Sequence, residues 1–430
     1  GIGMVHQHFK LVECFSVVRN IILGSESMKN GVLDLKTAKK KIVELSERYG
    51  LAVDPDAIIS DITVGMQQRV EILKFLYRES DSLIFDEPTA VLTPQEIEEL
   101  ITIIKGLAAE GKSIIFISHK LDEISKVADR VTILRRGKKI ATLNVAETTK
   151  EEMSELMVGR KVSFTVEKEE QTPGDTVLEV QNLVMRSRTS QKNIVDNISF
   201  SVRRGEIVCI AGIDGNGQSE TIYGLTGILP IQSGTITLNG TDITKADVRT
   251  RNLAGISHIP EDRHKYGLIL DYTLEENLIL KSYFKPSVQR HSFIRWDKAE
   301  AYSDELIEKY DIRTTLGAKT SARSMSGGNQ QKAIIAREIE ENSDLLLAVQ
   351  PTRGLDVGAI EFVHKQLVAQ RDAGKAVLMR SLVLDEVMDV SDRVLVMFEG
   401  HIVADIDPKK TTIQQMGLYM AGIRKEAQHA

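Results

Sequence analysis

The chain repeats itself, and the repeat decides most of what it can fold into. DRVTILRRGKKIATL at Asp129–Leu143 matches DRVLVMFEGHIVADI at Asp392–Ile406, and VGMQQR at Val64–Arg69 matches GGNQQK at Gly327–Lys332, both at an offset of 263 residues. FDEP at Phe85–Pro88 pairs with AVQP at Ala348–Pro351 at that offset, and SHKLDE at Ser118–Glu123 with SLVLDE at Ser381–Glu386. Near the start GIGMVHQ (Gly1–Gln7) aligns with GISHIPE (Gly255–Glu261) at an offset of 254, the difference being loop length. Two homologous domains follow, in keeping with 430 residues at about 100 to 200 per domain.

Between the halves EKEEQTPGD (Glu167–Asp175) carries a charge run and a Pro-Gly step, which reads as an exposed linker. The expected boundaries are a first domain at 1–166, a linker at 167–175, a second domain at 176–422 and a tail at 423–430. The second half opens with VLEVQNL and SFSVRRGEIVCIAG, about 80 residues ahead of Glu261 that have no partner in the first half. With glycine rather than methionine at position 1, the expectation is an N-terminal truncation, a naturally shortened gene being the alternative.

Composition removes several classes. The 55 basic against 61 acidic side chains, a formal charge of −6, argue against a general nucleic-acid binder, which needs basic surface to displace counterions. No apolar run approaches the roughly 18 to 20 residues that cross a bilayer, and no charged-then-apolar leader opens the chain. Cys14 and Cys209 stand far apart in no metal-ligand spacing and read as reduced thiols of a cytosolic protein.

The pattern of elements is α/β. EIVCIAG (Glu206–Gly212) is a short apolar run ending in glycine that leads to the helix-like TIYGLTGI, so strand, phosphate loop and helix are expected in that order. SLIFDEP and SIIFISH are buried-strand candidates separated by the amphipathic PQEIEELITIIKGLAAEG, and this alternation predicts a mainly parallel sheet. Leu35, Ala38, Ile42, Leu45 and Tyr49 share a helical face in an insertion over 35–49.

The chemistry falls on the loops of this scaffold. GIDGNGQSE (Gly212–Glu220) fits G-x-x-x-x-G-K-[ST] except that the lysine is Gln218, so the cradle of backbone N–H groups remains without its point charge. Ser219 remains able to reach a magnesium ion. A plain glycine turn would read the same way if the segment stood alone. Asp86 and Glu87 end an apolar strand, where an aspartate can hold magnesium and the adjacent glutamate can polarise a water. His119 follows the strand SIIFI, 32 residues after Glu87, in the same layer of strand ends.

In this order Gln7, ITVGMQQR, LIFDEP and FISH, then GIDGNGQSE, HIPEDR, MSGGNQQK and PTRGLD, the chain resembles tandem ATP-binding-cassette (ABC) ATPases along essentially its whole length. PTRGLDVGAIEFVHKQL with GMQQRVEILK resembles, more narrowly, the importer ATPases for simple sugars and nucleosides, and the glutamine in AVQPTRGLD resembles the nucleoside branch more than the ribose or galactose branch.

The resemblance implies two P-loop NTPase cassettes, each a mainly parallel sheet core with an antiparallel β part and a helical subdomain, the first lacking its N-terminal portion. It implies ATP and Mg2+ as cofactors and head-to-tail closure, so that each nucleotide lies between one half's phosphate loop and the other half's signature. One site then combines Gln7, Asp86, Glu87 and His119 with Ser326, Gly327, Gly328 and Gln330. Gln7, Glu87 and His119 are its catalytic group, and Asp86 and Gln7 hold its magnesium. The other combines Gly212, Asp214, Gly215, Asn216, Gly217, Gln218, Ser219 and Glu220 with Thr63, Val64, Gly65 and Gln67, Ser219 being its magnesium ligand. This second site is degenerate, with Val349, Gln350, Leu382 and Glu261 where the first half has Asp86, Glu87, His119 and Gln7. Valine cannot ligate and a neutral amide is no general base. The first half departs in Thr63 for serine and Thr93 for aspartate.

The implied partners are two membrane permease subunits and, indirectly, an extracytoplasmic substrate-binding protein, with the chain at the cytoplasmic face of the membrane. Gln7–Phe15, exposing Phe9, Leu11 and Phe15, and Glu261–Tyr272 are the expected docking segments. A soluble cassette pair acting on ribosomes is disfavoured by a linker of about ten residues and by the degenerate site. A non-catalytic nucleotide-binding fragment is the third reading.

Overall fold

The computed structural model describes the chain apart from residues 7, 8, 30, 90, 91, 93, 136, 162–165, 167, 187–191 and 423–430, and apart from the side chains at 64, 94 and 95. Two compact units divide it, Gly1–Val162 and Ser163–Ala430.

The first unit runs β1 (Ile2–Val5), α1 (Val17–Ile22), a small hairpin β2 (Met28–Lys29) and β3 (Val32–Leu33), α2 (Leu35–Tyr49), α3 (Val64–Tyr77), β4 (Ser82–Asp86), α4 (Pro94–Ala109), β5 (Ser113–Ile117), α5 (Leu121–Val127), a hairpin β6 (Arg130–Arg135) and β7 (Lys138–Asn144), and α6 (Lys150–Val158). The helix α2 occupies the span its apolar spacing predicts. Asp34 accepts the Thr37 N–H at its start, and Gly50, at φ 66°, ends it in the left-handed region open to glycine. Strands β1, β4 and β5 form a parallel sheet in the order β1-β4-β5. Val5, Leu83 and Phe85 pack from it against α1 to α4 in one core.

The second unit runs β8 (Thr176–Arg186), β9 (Asn193–Arg203), β10 (Glu206–Ala211), α7 (Gln218–Thr226), β11 (Ser233–Leu238), β12 (Thr241–Asp242), α8 (Val248–Ala254), β13 (Ile256–Ile259), α9 (Leu274–Leu278), β14 (Gln289–Arg290), β15 (Phe293–Ile294), α10 (Trp296–Lys309), α11 (Gly327–Glu340), β16 (Leu345–Val349), α12 (Val357–Asp372), β17 (Ala376–Arg380), α13 (Leu384–Val390), β18 (Arg393–Phe398), β19 (His401–Ile406) and α14 (Ile413–Met420). Its main sheet has the order β13-β16-β17-β10-β18-β19, parallel except for β19. Side chains alternate across it: Val377 and Met379 of β17 enter the core on the helical side, Ala376 and Leu378 the core shared with the antiparallel sheet β12-β11-β8-β9 and α7. A parallel sheet covered on both faces has apolar residues at every position, and β10, β16 and β17 are buried throughout.

The repeat is reproduced element for element, with α3, β4, α4, β5 and α5 of the first unit matching α11, β16, α12, β17 and α13 of the second at the 263-residue spacing. The two β5 faces nevertheless differ from those of β17. Ile114 and Phe116 pack on the core, whereas Ile115 and Ile117 are 56% and 45% exposed, because among the described residues no layer covers that side. The linker, expected to be exposed, is pinned at Lys168, whose Nζ donates to the carbonyls of Val390 (3.1 Å) and Ser391 (2.7 Å) and pairs with Asp392 at 2.9 Å.

Candidate nucleotide sites

In the first unit β4 delivers Asp86 as its last residue, and the chain then kinks. Glu87 has φ 45°, a region sparsely populated by residues other than glycine. Its N–H donates to the Ile117 carbonyl at 2.9 Å, which fixes the turn to the end of β5. The kink points the carboxylate at His119, whose Nδ1 lies 2.9 Å from Glu87 Oε1. This hydrogen bond holds the Glu87 carboxyl below the usual carboxylate range against the opposing effect of its burial. At neutral pH Glu87 is therefore an ionised, oriented proton acceptor at the end of a strand. Gln7 and Thr93 lie outside the described residues.

Magnesium suits what this unit offers. A hard cation takes oxygen ligands and keeps several waters, commonly using one or two carboxylates together with substrate phosphates. Asp86, at the strand end beside Glu87, is such a carboxylate, and no cage of three or more His, Cys, Asp or Glu residues exists among the described residues. When bound, the ion would supply charge neutralisation for phosphate oxygens, and Asp86 would hold it beside the ionised carboxylate of Glu87.

In the second unit β10 runs into the glycine loop and α7 leaves it. Gly212 and Gly217 adopt φ 151° and 99°, and a Cβ on either would fall 2.5 Å from the Met397 or Ile194 carbonyl, so the loop needs glycine at both. The Gln218 side chain folds back over this loop. Its Oε1 accepts the Asn216 N–H at 3.2 Å and its Nε2 donates to the Ile213 carbonyl at 3.0 Å. Asn216 also braces the turn through the Ile213 carbonyl and the Glu399 N–H. Asp214 pairs with Arg380, and Ser219 Oγ donates to Glu261 Oε2 at 3.4 Å. Gly215 and Glu220 flank these contacts in the loop and in the first turn of α7.

Both signature segments open a helix. Thr63 Oγ1 accepts the Met66 N–H at 3.3 Å, and Ser326, which precedes Gly327 and Gly328, accepts from Asn329 Nδ2 at 2.8 Å. Val64 and Gly65 form the first turn of α3. The side-chain amides of Gln67 and Gln330 are engaged with the preceding turn: Gln67 Nε2 donates to the Ile59 and Ile62 carbonyls, and Gln330 Nε2 to the Ala322 carbonyl at 2.9 Å. They orient the helix start. The next residue in each motif, passed over in the sequence, ties signature helix to strand end: Gln68 Nε2 donates to the Pro88 carbonyl and Gln331 Nε2 to that of Pro351, both at 2.8 Å. The repeated QQ pair was the available signal.

GLAAEGKS at Gly106–Ser113 also satisfies G-x-x-x-x-G-K-[ST] in full. Here the order is helix, turn, strand, since α4 ends at Ala109 and β5 begins at Ser113. Lys112 Nζ is bonded to the Ser80 carbonyl at 2.7 Å, and Lys375, its repeat partner, to that of Asn342 at 3.3 Å. Among the described residues no helix begins after that turn, where β5 follows instead, so the match is a structural helix stop.

Phe9 and Phe15 are half-buried and Leu11 packs on the first core, so the open patch expected of Phe9, Leu11 and Phe15 is smaller than read from the sequence. In the second unit Tyr266, Ile269 and Tyr272 are 43%, 40% and 44% exposed.

The family model for ABC transporters matches residues 1–90 and 195–353, stretches that hold Asp86, Glu87, the glycine loop and both signature segments, with His119 and Arg380 outside them. The chain belongs to the ABC transporter ATP-binding family. It is 56% identical to the nucleoside import ATP-binding protein NupA of Lactococcus lactis, over 98% of this chain and 83% of that one. It is 54% identical to the guanosine import ATP-binding protein NupO of Bacillus subtilis, over 99% of this chain and 84% of that one. With the glucose import ATP-binding protein TsgD13 of Haloferax volcanii the identity is 40%, over 98% and 82%. The ABC chain has no helix, among its described residues, long and apolar enough to cross a membrane.

Proposed function

We propose that this ABC chain is the ATP-binding subunit of a nucleoside importer, with one hydrolytic and one degenerate nucleotide site. The observation that carries the unequal sites is the Glu87–His119 pair beside Asp86, set against Val349, Gln350 and Leu382 at the repeat positions. Nucleoside rather than sugar is favoured by identities of 56% and 54% to nucleoside and guanosine import proteins, against 40% to a glucose import protein. In this reading Glu87 accepts the proton of the attacking water and His119 orients it. Asp86 holds Mg2+, and the Gly212–Glu220 loop receives the phosphates of ATP. Two permease subunits at the cytoplasmic face, served by an extracytoplasmic binding protein, supply the path, and nucleic acid has no part.

Uptake of labelled guanosine, adenosine and ribose by vesicles holding the assembled transporter, its ATP-binding chain given a first-half phosphate loop by fusion, tests the reading. Nucleoside uptake that stops with Glu87→Gln supports it; uptake of ribose alone would transfer the chain to the sugar branch.

A further inference from the structure

We propose that the second unit's phosphate-loop site works without a divalent cation, the guanidinium of Arg380 standing in the cation's place between Asp214 and Glu261. Arg380 ends β17, in register with Val349 of β16 on one side and Ile210 of β10 on the other. It therefore lies between the two strand ends whose loops make the site. Its side chain is 1% exposed, with Nη1 2.9 Å from Glu261 Oε2 and Nη2 2.5 Å from Asp214 Oδ1. The other Glu261 oxygen and the Ser219 hydroxyl are committed as well. Glu261 Oε1 accepts from Gln350 Nε2 at 2.7 Å and Arg353 Nη1 at 3.0 Å, and the Ser219 hydroxyl is turned to Glu261 Oε2.

A magnesium ion requires near-octahedral oxygen ligands at about 2.0 to 2.1 Å. Here the strand end offers Val349, a hydrocarbon, and the two nearby carboxylates already surround a charge that cannot be deprotonated. The first unit has the converse arrangement: Asp86 stands where Val349 does, and Ile117, without charge, where Arg380 does. An acid at one strand end has been exchanged for a base at its neighbour, so positive charge comes from the chain instead of from solution.

The inference rests on the reading of Gly212–Glu220 as a nucleotide loop, and two measurements separate the two. Both use the full 430-residue chain carrying Asp86→Ala, so that the first unit loses the carboxylate proposed to hold its metal. The first is binding of a fluorescent ATP analogue in Mg2+ and in EDTA. The second is Mn2+ binding without nucleotide, followed by electron paramagnetic resonance. Dissociation constants within twofold in Mg2+ and EDTA, and no bound Mn2+ sensitive to Asp214→Asn or Glu261→Gln, are expected. Arg380→Ile is expected to create one Mn2+ site and to weaken nucleotide binding at least tenfold in EDTA relative to Mg2+, while Arg380→Lys keeps metal independence. Nucleotide binding by the Asp86→Ala chain that weakens tenfold in EDTA, or bound Mn2+ released by Glu261→Gln, would overturn the inference. Absence of nucleotide binding in both conditions would instead defeat the nucleotide reading, with the Mn2+ result still deciding the metal. If Arg380→Ile does not fold, the Asp86→Ala chain and Arg380→Lys measurements decide.

Discussion

Glu87 and Gln350 share a backbone conformation, φ 45° and 43°, that the difference in their side chains does not require. Each N–H is bonded to the last carbonyl of the neighbouring strand, Ile117 or Arg380, so the kink is set by the fold and the side chain is what varies. In a chain given a first-half phosphate loop by fusion, Glu87→Gln is expected to reduce turnover about 100-fold or more, the range for loss of a general base, with ATP affinity unchanged. Gln350→Glu alone is expected to leave turnover unaltered, since Val349 and Leu382 still supply neither ligand nor hydrogen bond; steady-state kinetics check both. A second residue-scale consequence concerns His258. Its Nε2 is sealed from solvent without a partner, and burial pushes the imidazole down to about 4, the Glu338 carboxylate opposing. The folded state thus holds His258 neutral while the unfolded chain takes up a proton below about 6.5. Stability is lost as pH falls from about 6.5 to about 4, by up to about 3 kcal/mol at 1.36 kcal/mol per unit. Glu338, held down to about 2 by Lys281 and Arg337 despite its burial, adds its own loss only below the usual carboxylate range. Methionine is the first-half residue here, Met4, so His258→Met is expected to flatten the urea midpoint between pH 6.5 and 4.5 relative to the parent chain.

At the scale of elements, coverage of the sheet separates the halves. β17 is enclosed on both faces, while β5 leaves Ile115 and Ile117 open, and parallel strands are ordinarily buried on both sides. Exposed apolar strand surface templates association. Ile115→Lys is therefore expected to lower self-association of this chain in light scattering without shifting its melting temperature, because Ile115 contacts no core. Much of this level was legible in the sequence. The α2 face, the strands at Leu83–Asp86 and Ile207–Ala211 and the order of strand, glycine loop and helix follow from periodicity and turn residues, which are local. What stayed hidden depends on pairing between distant strands. Nothing in the sequence marks Arg380 until β17 is seen between β10 and β16, or Gln68 and Gln331 until their carbonyl partners are in place. Gly106–Ser113 shows the converse: a pattern of residue types has no meaning for phosphate until the helix lies after the glycines.

For the molecule as a whole, the parts proposed for a hydrolytic site are distributed unequally. The described residues hold one glycine loop in strand, loop, helix order, Gly212–Glu220, and its lysine position is Gln218, bonded back onto its own loop. The ionised carboxylate and its histidine stand in the other unit, at Glu87 and His119. Phosphoryl transfer depends on positioning the phosphates and neutralising the charge that develops on them. In the proposed reading, a neutral amide in place of the lysine, a valine in place of the metal-binding acid and an already paired guanidinium leave the loop beside β10 to receive phosphate without activating water. The 430-residue chain is accordingly expected to release phosphate from ATP no faster than buffer, even when circular dichroism shows it folded. A coupled phosphate assay on the parent chain and on Glu87→Gln decides the point: turnover in the parent that the substitution abolishes would mean that Glu87 finds a competent phosphate cradle within these 430 residues.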